Sequence, residues 1–144
     1  AMVREQRFPE ERVLIDHNTE DTLPLVLATG CWAGHSIYPH TKMDEDRMVA
    51  LVRKYGGERI LVNSAADWGV SDALKVARTA AHMREGGIAE ATIAQIVWSN
   101  PVAFFAQSGR FETADLAQPP PIDQRELWQG NSVLRGGQPP IVRE

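Results

Sequence analysis

Short apolar runs alternate with longer amphipathic stretches through most of this chain. Val13-Leu14-Ile15 is a β-branched and aliphatic run ending in Asp16-His17-Asn18, which predicts a buried strand with polar groups at its exit. Thr19 or Asp21 can cap a short helix through Leu27, closed by Gly30. In CWAGHSIYP, residues 31–39, Trp32, Ile37 and Tyr38 favour a second strand, which Pro39 ends. Met48, Leu51, Val52 and Tyr55 then follow the i, i+3, i+4, i+7 spacing, with acids first and Arg53-Lys54 last, predicting a helix over residues 44–55 stopped by Gly56-Gly57. A third strand is expected over residues 59–63, around Ile60-Leu61-Val62. A helix over residues 72–84 follows, with Ser71 as N-cap, Leu74, Ala77 and Ala81 on its apolar face and Gly86-Gly87 as its stop. Residues 88–98 are helical in pattern, and Asn100-Pro101 reads as an N-cap and N1 proline restarting a short helix that Gly109 closes. At the start, residues 2–8 resemble a helix end that Pro9 interrupts.

Three short strands separated by helices imply an α/β fold of parallel β–α units, with right-handed crossovers and a sheet buried on both faces. Such strands bring loops 17–21, 38–43 and 64–71 to one edge, where α/β proteins place their ligands. The stretch RILVNSAADWGVSD, residues 59–72, delivers Asp67 and Trp68 to that edge. From Glu112 onward Pro119-Pro120-Pro121, Gly136-Gly137 and Pro139-Pro140 break any period. The chain therefore divides into residues 1–111 and an irregular Pro/Gly-rich tail, 112–144, docked in places by Trp128 and Leu134.

Composition narrows the function classes. At 144 residues, 43% apolar and 24% charged, the chain suits one ordinary globular core, and its net charge of −4 gives no reason to expect nucleic acid or an anionic membrane as partner. No apolar run approaches the ~20 residues that span a bilayer, and AMVREQRF lacks an apolar signal core, so a cytoplasmic protein is expected. The lone Cys31 supports neither an internal disulfide nor a cysteine zinc site.

The polar groups expected at the functional edge are Asp16, His17, Asn18, His35, His40, Ser64, Asp67 and Asp72. His17, just past its strand, can serve as a neutral-nitrogen metal ligand or a general base. Asp67, a hard oxygen ligand, can complete such a site or orient a water. Structural roles fit the same residues: His17 bonding a loop backbone and Asp67 capping a turn. His35 should point opposite to Gly34 and Ser36 as a hydrogen-bonded structural histidine; His40 and His82 read as solvated; Trp68 either packs or walls a pocket. Ser64 lacks a nucleophile-elbow context, and no phosphate loop, dinucleotide fingerprint or HExxH helix is present.

VLIDHNTEDT (residues 13–22), YPHTK (38–42), KYGGERILVNSAADWGVSD (54–72), NPVAFF (100–105) and NSVLRGG (131–137) together resemble the C-terminal part of TatD-type metal-dependent hydrolases, within the amidohydrolase-like TIM barrels. The likeness is greatest to a TatD-related group of bacterial hydrolases. This resemblance implies that His17 matches the metal-ligand histidine ending strand 6 and that Asp67 matches the strand-8 aspartate, which binds metal or activates water. It implies a divalent metal (Zn, Mn or Mg) and a small-molecule or phosphodiester substrate, with water attacking an ester, phosphodiester or amide. Two departures stand out: Ala73 follows Asp72 where the family has proline, and His35 occupies a position expected to be small or apolar. The family's His-x-His pair, carboxylate ligand and strand-5 histidine have no counterpart in the chain. Three β/α units are also fewer than the eight strands of a barrel. The expectation is thus a C-terminal barrel portion, incomplete and inactive on its own, completed by a missing N-terminal half, by another chain or by homo-oligomerisation. The alternative is a non-enzymatic truncated barrel that self-associates as an interaction module.

Overall fold

The computed structural model of the chain describes residues 2–38, 42–64, 72–110 and 114. Expectations for Pro39, His40, Asp67, Trp68, the Ser71 cap and the tail residues Trp128 and Leu134 lie outside the described residues. The described elements are α1 (Met2–Glu5), β1 (Leu14–Ile15), α2 (Leu23–Leu27), β2 (Trp32–Ile37), α3 (Glu45–Tyr55), β3 (Ile60–Ser64), α4 (Lys75–Glu85), α5 (Glu90–Ala94), a π turn (Gln95–Ser99) and α6 (Asn100–Ala106). A 3₁₀ turn (Glu10–Arg12) precedes β1.

The three strands form one parallel sheet in the order β1-β2-β3. Leu14 pairs with Trp32, Ala33 with Ile60 and Ile37 with Ser64. Because side chains alternate along a strand, this register puts Ala33, His35, Ile37, Ile60 and Val62 on one face and Leu14, Trp32, Gly34, Ser36, Leu61 and Asn63 on the other. The core lies on the first face, where Ala33, Ile37, Ile60 and Val62 join Leu23 and Val26 of α2, Met48, Val49, Leu51 and Val52 of α3, Met83 of α4, Ile93 of α5 and Ile96 of the π turn. The described helices α2 to α5 thus pack on a single side of a sheet whose strands follow sequence order. Burial on both faces, which the sequence implies, holds for the middle of β2 and the start of β3, where Ser36 is 1% exposed and Leu61 5%, but not for β1: the strand expected to be buried leaves Ile15 37% exposed and Leu14 only partly covered.

α3 forms as its spacing predicts, with the Asp44 carboxylate accepting the Arg47 N–H at 2.9 Å and Gly56 leaving the helix at φ 77°. Other elements differ. Neither Thr19 nor Asp21 caps α2; Pro24 in the first turn sets its start, because proline needs no N–H there and its φ is already helical. α4 begins at Lys75 and does not bury Leu74, Ala77 and Ala81; Leu74 is 60% exposed. Its inward face is Thr79 and Met83, with Val76 and Ala80 partly buried, and the Thr79 hydroxyl can enter the core because it donates to the Lys75 carbonyl at 2.7 Å. Asn100 is no helix cap: its φ and ψ of −66° and −49° are helical, so α5, the π turn and α6 run on without a break. Its amide instead crosses to the Gly57 and Ile60 carbonyls, both at 2.7 Å, closing off the start of β3.

Candidate functional site

The strands end in a connected set of polar side chains. Asp16 follows β1, and its carboxylate lies across Gly34 of β2, where a Cβ would sit 2.6 Å from Oδ1. Only glycine leaves that space, so the Gly34 position fixes where the carboxylate can be. Oδ1 accepts the His17 backbone N–H at 2.7 Å. Asn63 of β3 donates Nδ2 to both carboxylate oxygens at 3.2 Å. The Ser36 hydroxyl of β2 lies 3.4 and 3.5 Å from the same oxygens and 2.8 Å from His17 Nδ1. One carboxylate therefore ties together the ends of all three described strands.

His17 takes φ 60°, in the left-handed region, which non-glycine residues enter rarely and histidine more readily than most. Its neighbour holds that turn: Asn18, 3% exposed, donates Nδ2 to the Ile15 and Gly34 carbonyls at 2.6 and 3.1 Å, and its backbone N–H to Gly34 at 3.0 Å. A left-handed residue next to a carboxylate turns the imidazole off the strand line, and the His17 side chain is 57% exposed against 35% for Asp16. Strained backbone held by its surroundings is a feature that accumulates at functional positions. Beyond this cluster, Arg47 at the start of α3 grips Glu20 through Nε and Nη2 at 2.7 and 2.6 Å and donates Nη1 to the Lys42 carbonyl at 2.7 Å. The guanidinium hydrogen bond holds the Glu20 carboxyl down to about 2 and joins the loops that follow β1 and β2.

The remaining expected site residues separate from this cluster. His35 faces away from Gly34 and Ser36 and is fully buried, as its position in the strand implies, but it is not hydrogen-bonded: neither ring nitrogen has a partner among the described residues. Burial pushes its pKa below the ordinary 6.5, against the raising effect of the nearby Leu61 and Ala33 carbonyls and Asp16. Asp72 caps its own turn, accepting the Leu74 N–H at 2.9 Å and pairing with Arg78 at 2.8 Å. His82 is not simply solvated; its Nε2 meets Asp46 of α3 at 2.6 Å, a hydrogen bond that raises its pKa.

Metal chemistry requires more than this cluster shows. The described residues give one imidazole, His17, beside one carboxylate, Asp16, and among them no group of three or more His, Cys, Asp or Glu is arranged to hold a metal ion. Asp67 lies outside the described residues. No described helix is long and apolar enough to cross a membrane. The chain matches no protein-family model, no curated protein and no solved structure.

The sequence puts Asp16 at the edge without a role and gives no part in the site to Gly34 or Asn63. The signal for Gly34 is its register: it stands where an Asp16 side chain must cross β2.

Proposed function

We propose that the chain carries part of the site of a metal-dependent hydrolase, in which His17 binds a divalent cation and a metal-activated water attacks an ester, phosphodiester or amide. The observation that carries this reading is the His17 turn: an exposed imidazole in left-handed backbone at the carboxyl end of a parallel strand, braced by a carboxylate that spans three strands. Asp67 is assigned as the second ligand or the acceptor of the water's proton. Catalytic zinc ordinarily takes three protein ligands and a water, so this pair requires further donors. Strand order β1-β2-β3 with helices packed on one face supports a barrel portion, since a closed (β/α)₈ barrel repeats that same winding. On this reading the remaining strands and ligands come from outside residues 1–111, and the chain alone turns over little or no substrate.

The test is metal content and turnover of this chain beside the same reading frame taken from further upstream. Metal and activity that accompany the longer form and vanish in Asp67→Ala support the proposal; a longer form without metal refutes it. A second reading, self-association without catalysis, draws on β3, which pairs on one side only among the described strands. Sedimentation distinguishes it, because that reading requires a concentration-dependent oligomer and no metal requirement.

A further inference from the structure

The cluster contains a hydroxyl whose role the hydrolase reading leaves unassigned. Ser36 is 1% exposed, yet its Oγ stands between His17 Nδ1 at 2.8 Å and the two Asp16 oxygens at 3.4 and 3.5 Å. A serine hydroxyl has one proton to give and lone pairs to receive, whereas a carboxylate only receives. Any Ser36–Asp16 hydrogen bond therefore uses the serine proton, and Ser36 must then accept from Nδ1. The direct approach of Nδ1 to Asp16 Oδ2, 3.8 Å, favours the same polarity, because the opposite one turns a nitrogen lone pair toward the carboxylate.

We propose that Ser36 and Asp16 are positioning residues acting through His17: they hold its imidazole as the Nδ1–H tautomer and leave the lone pair on Nε2. Three features keep the carboxylate in place for that task, namely the Asn63 amide, the His17 N–H and the open space over Gly34. The arrangement is not that of a nucleophilic serine. In a Ser-His-Asp triad the serine and the carboxylate bond opposite ring nitrogens, whereas here both lie on the Nδ1 side and the hydroxyl is buried. Metal-binding histidines generally donate their other N–H to a carboxylate or carbonyl acceptor, and a serine bridging to Asp16 serves that purpose. The consequence for metal binding rests on the hydrolase reading; the tautomer itself does not.

The experiment is a long-range ¹⁵N–¹H spectrum of the full chain with ¹⁵N-labelled histidine, metal-free, at about pH 8, above the ordinary imidazole pKa. His17→Gln identifies the His17 signals among the four histidines. The wild type should show a protonated Nδ1 and a bare Nε2, favoured by roughly tenfold, the factor that about one net hydrogen bond contributes. Ser36→Thr should keep that preference and Ser36→Ala should lose it. Asp16→Asn, whose amide can donate to Ser36, should reverse it. A protonated Nε2 in the wild type overturns the proposal, as does an unchanged ratio in Ser36→Ala with the His35 and His82 signals intact. The wild-type and Ser36→Thr spectra decide the matter even where Ser36→Ala does not fold. A purely structural Ser36 would alter stability and leave the ratio alone. Since no metal is present, a correct tautomer in this chain together with an upstream-extended form that binds no cation leaves this inference standing while the hydrolase reading falls.

Discussion

Gly34→Ala tests whether the Asp16 carboxylate is held where the structure has it. The new Cβ would stand 2.6 Å from Asp16 Oδ1, 3.0 Å from Cγ and 3.2 Å from Cα. The first two contacts can be relieved by rotating the side chain, at the expense of its bonds to the His17 N–H and Asn63; the third involves backbone, so the end of β1 must also move. Overpacking of this kind costs about 1 to 3 kcal/mol. Loss of the carboxylate's hydrogen bonds adds about 1 kcal/mol, at the low end because the Asp16 side chain is 35% exposed. Opposing these, alanine narrows the unfolded ensemble by about 0.4 to 1 kcal/mol, since Gly34 is not among the residues at positive φ. The net expectation is a loss of about 2 kcal/mol in urea denaturation followed by circular dichroism. Asp16→Ala removes the two closest atoms, so Gly34→Ala introduced into that background should cost at least about 1 kcal/mol less. An equal cost in both backgrounds, or a neutral single substitution, would refute the placement of Asp16 over Gly34.

Other substitutions probe the core and its pH response. Replacing Asn100, itself only 6% exposed, with alanine removes the donor to two carbonyls, Gly57 and Ile60, and should cost about 2 to 4 kcal/mol; Asn100→Asp, the same size but without the donor, should cost no less. The buried His35 and the paired His82 should act on stability with opposite sign. His35 has its folded pKa below 6.5, so the unfolded chain takes up the proton first and stability falls as pH drops below about 6.5; His35→Leu should flatten that acid limb. For His82 the folded pKa lies above 6.5, so its contribution is present below that value and fades as pH rises through the folded pKa; His82→Ala should remove this fading in denaturation curves recorded across the neutral range. An acid limb unchanged in His35→Leu would mean that the ring finds a partner on protonation.

What the sequence discloses follows the range over which each interaction acts. α3 is legible because its apolar spacing, its acidic start and its Gly56 stop lie close together in the chain and agree. For α4 the small apolar residues Ala77 and Ala81 mislead, since alanine favours helix on any face. The face is decided by Met83 and by Thr79, whose hydroxyl is satisfied one turn back. Asn100-Pro101 carries the local signature of a helix start, but the amide is recruited by carbonyls 43 and 40 residues away, which no local pattern reveals. The site divides the same way. Asp16 and His17 announce themselves as polar residues leaving an apolar strand, whereas the Asn63 contact joins positions 47 apart and exists only once the strand register is set.

Whether His17 binds a divalent cation is addressed directly by calorimetric titration, with Zn²⁺ or Mn²⁺, of the same reading frame taken from further upstream. The longer form should bind one cation saturably, His17→Ala should abolish that binding and Asp67→Ala weaken it by at least about tenfold, with His82→Ala binding as the wild type does. A longer form that takes up no cation, or one whose His17→Ala variant binds as tightly as the parent, rules out His17 as a metal ligand.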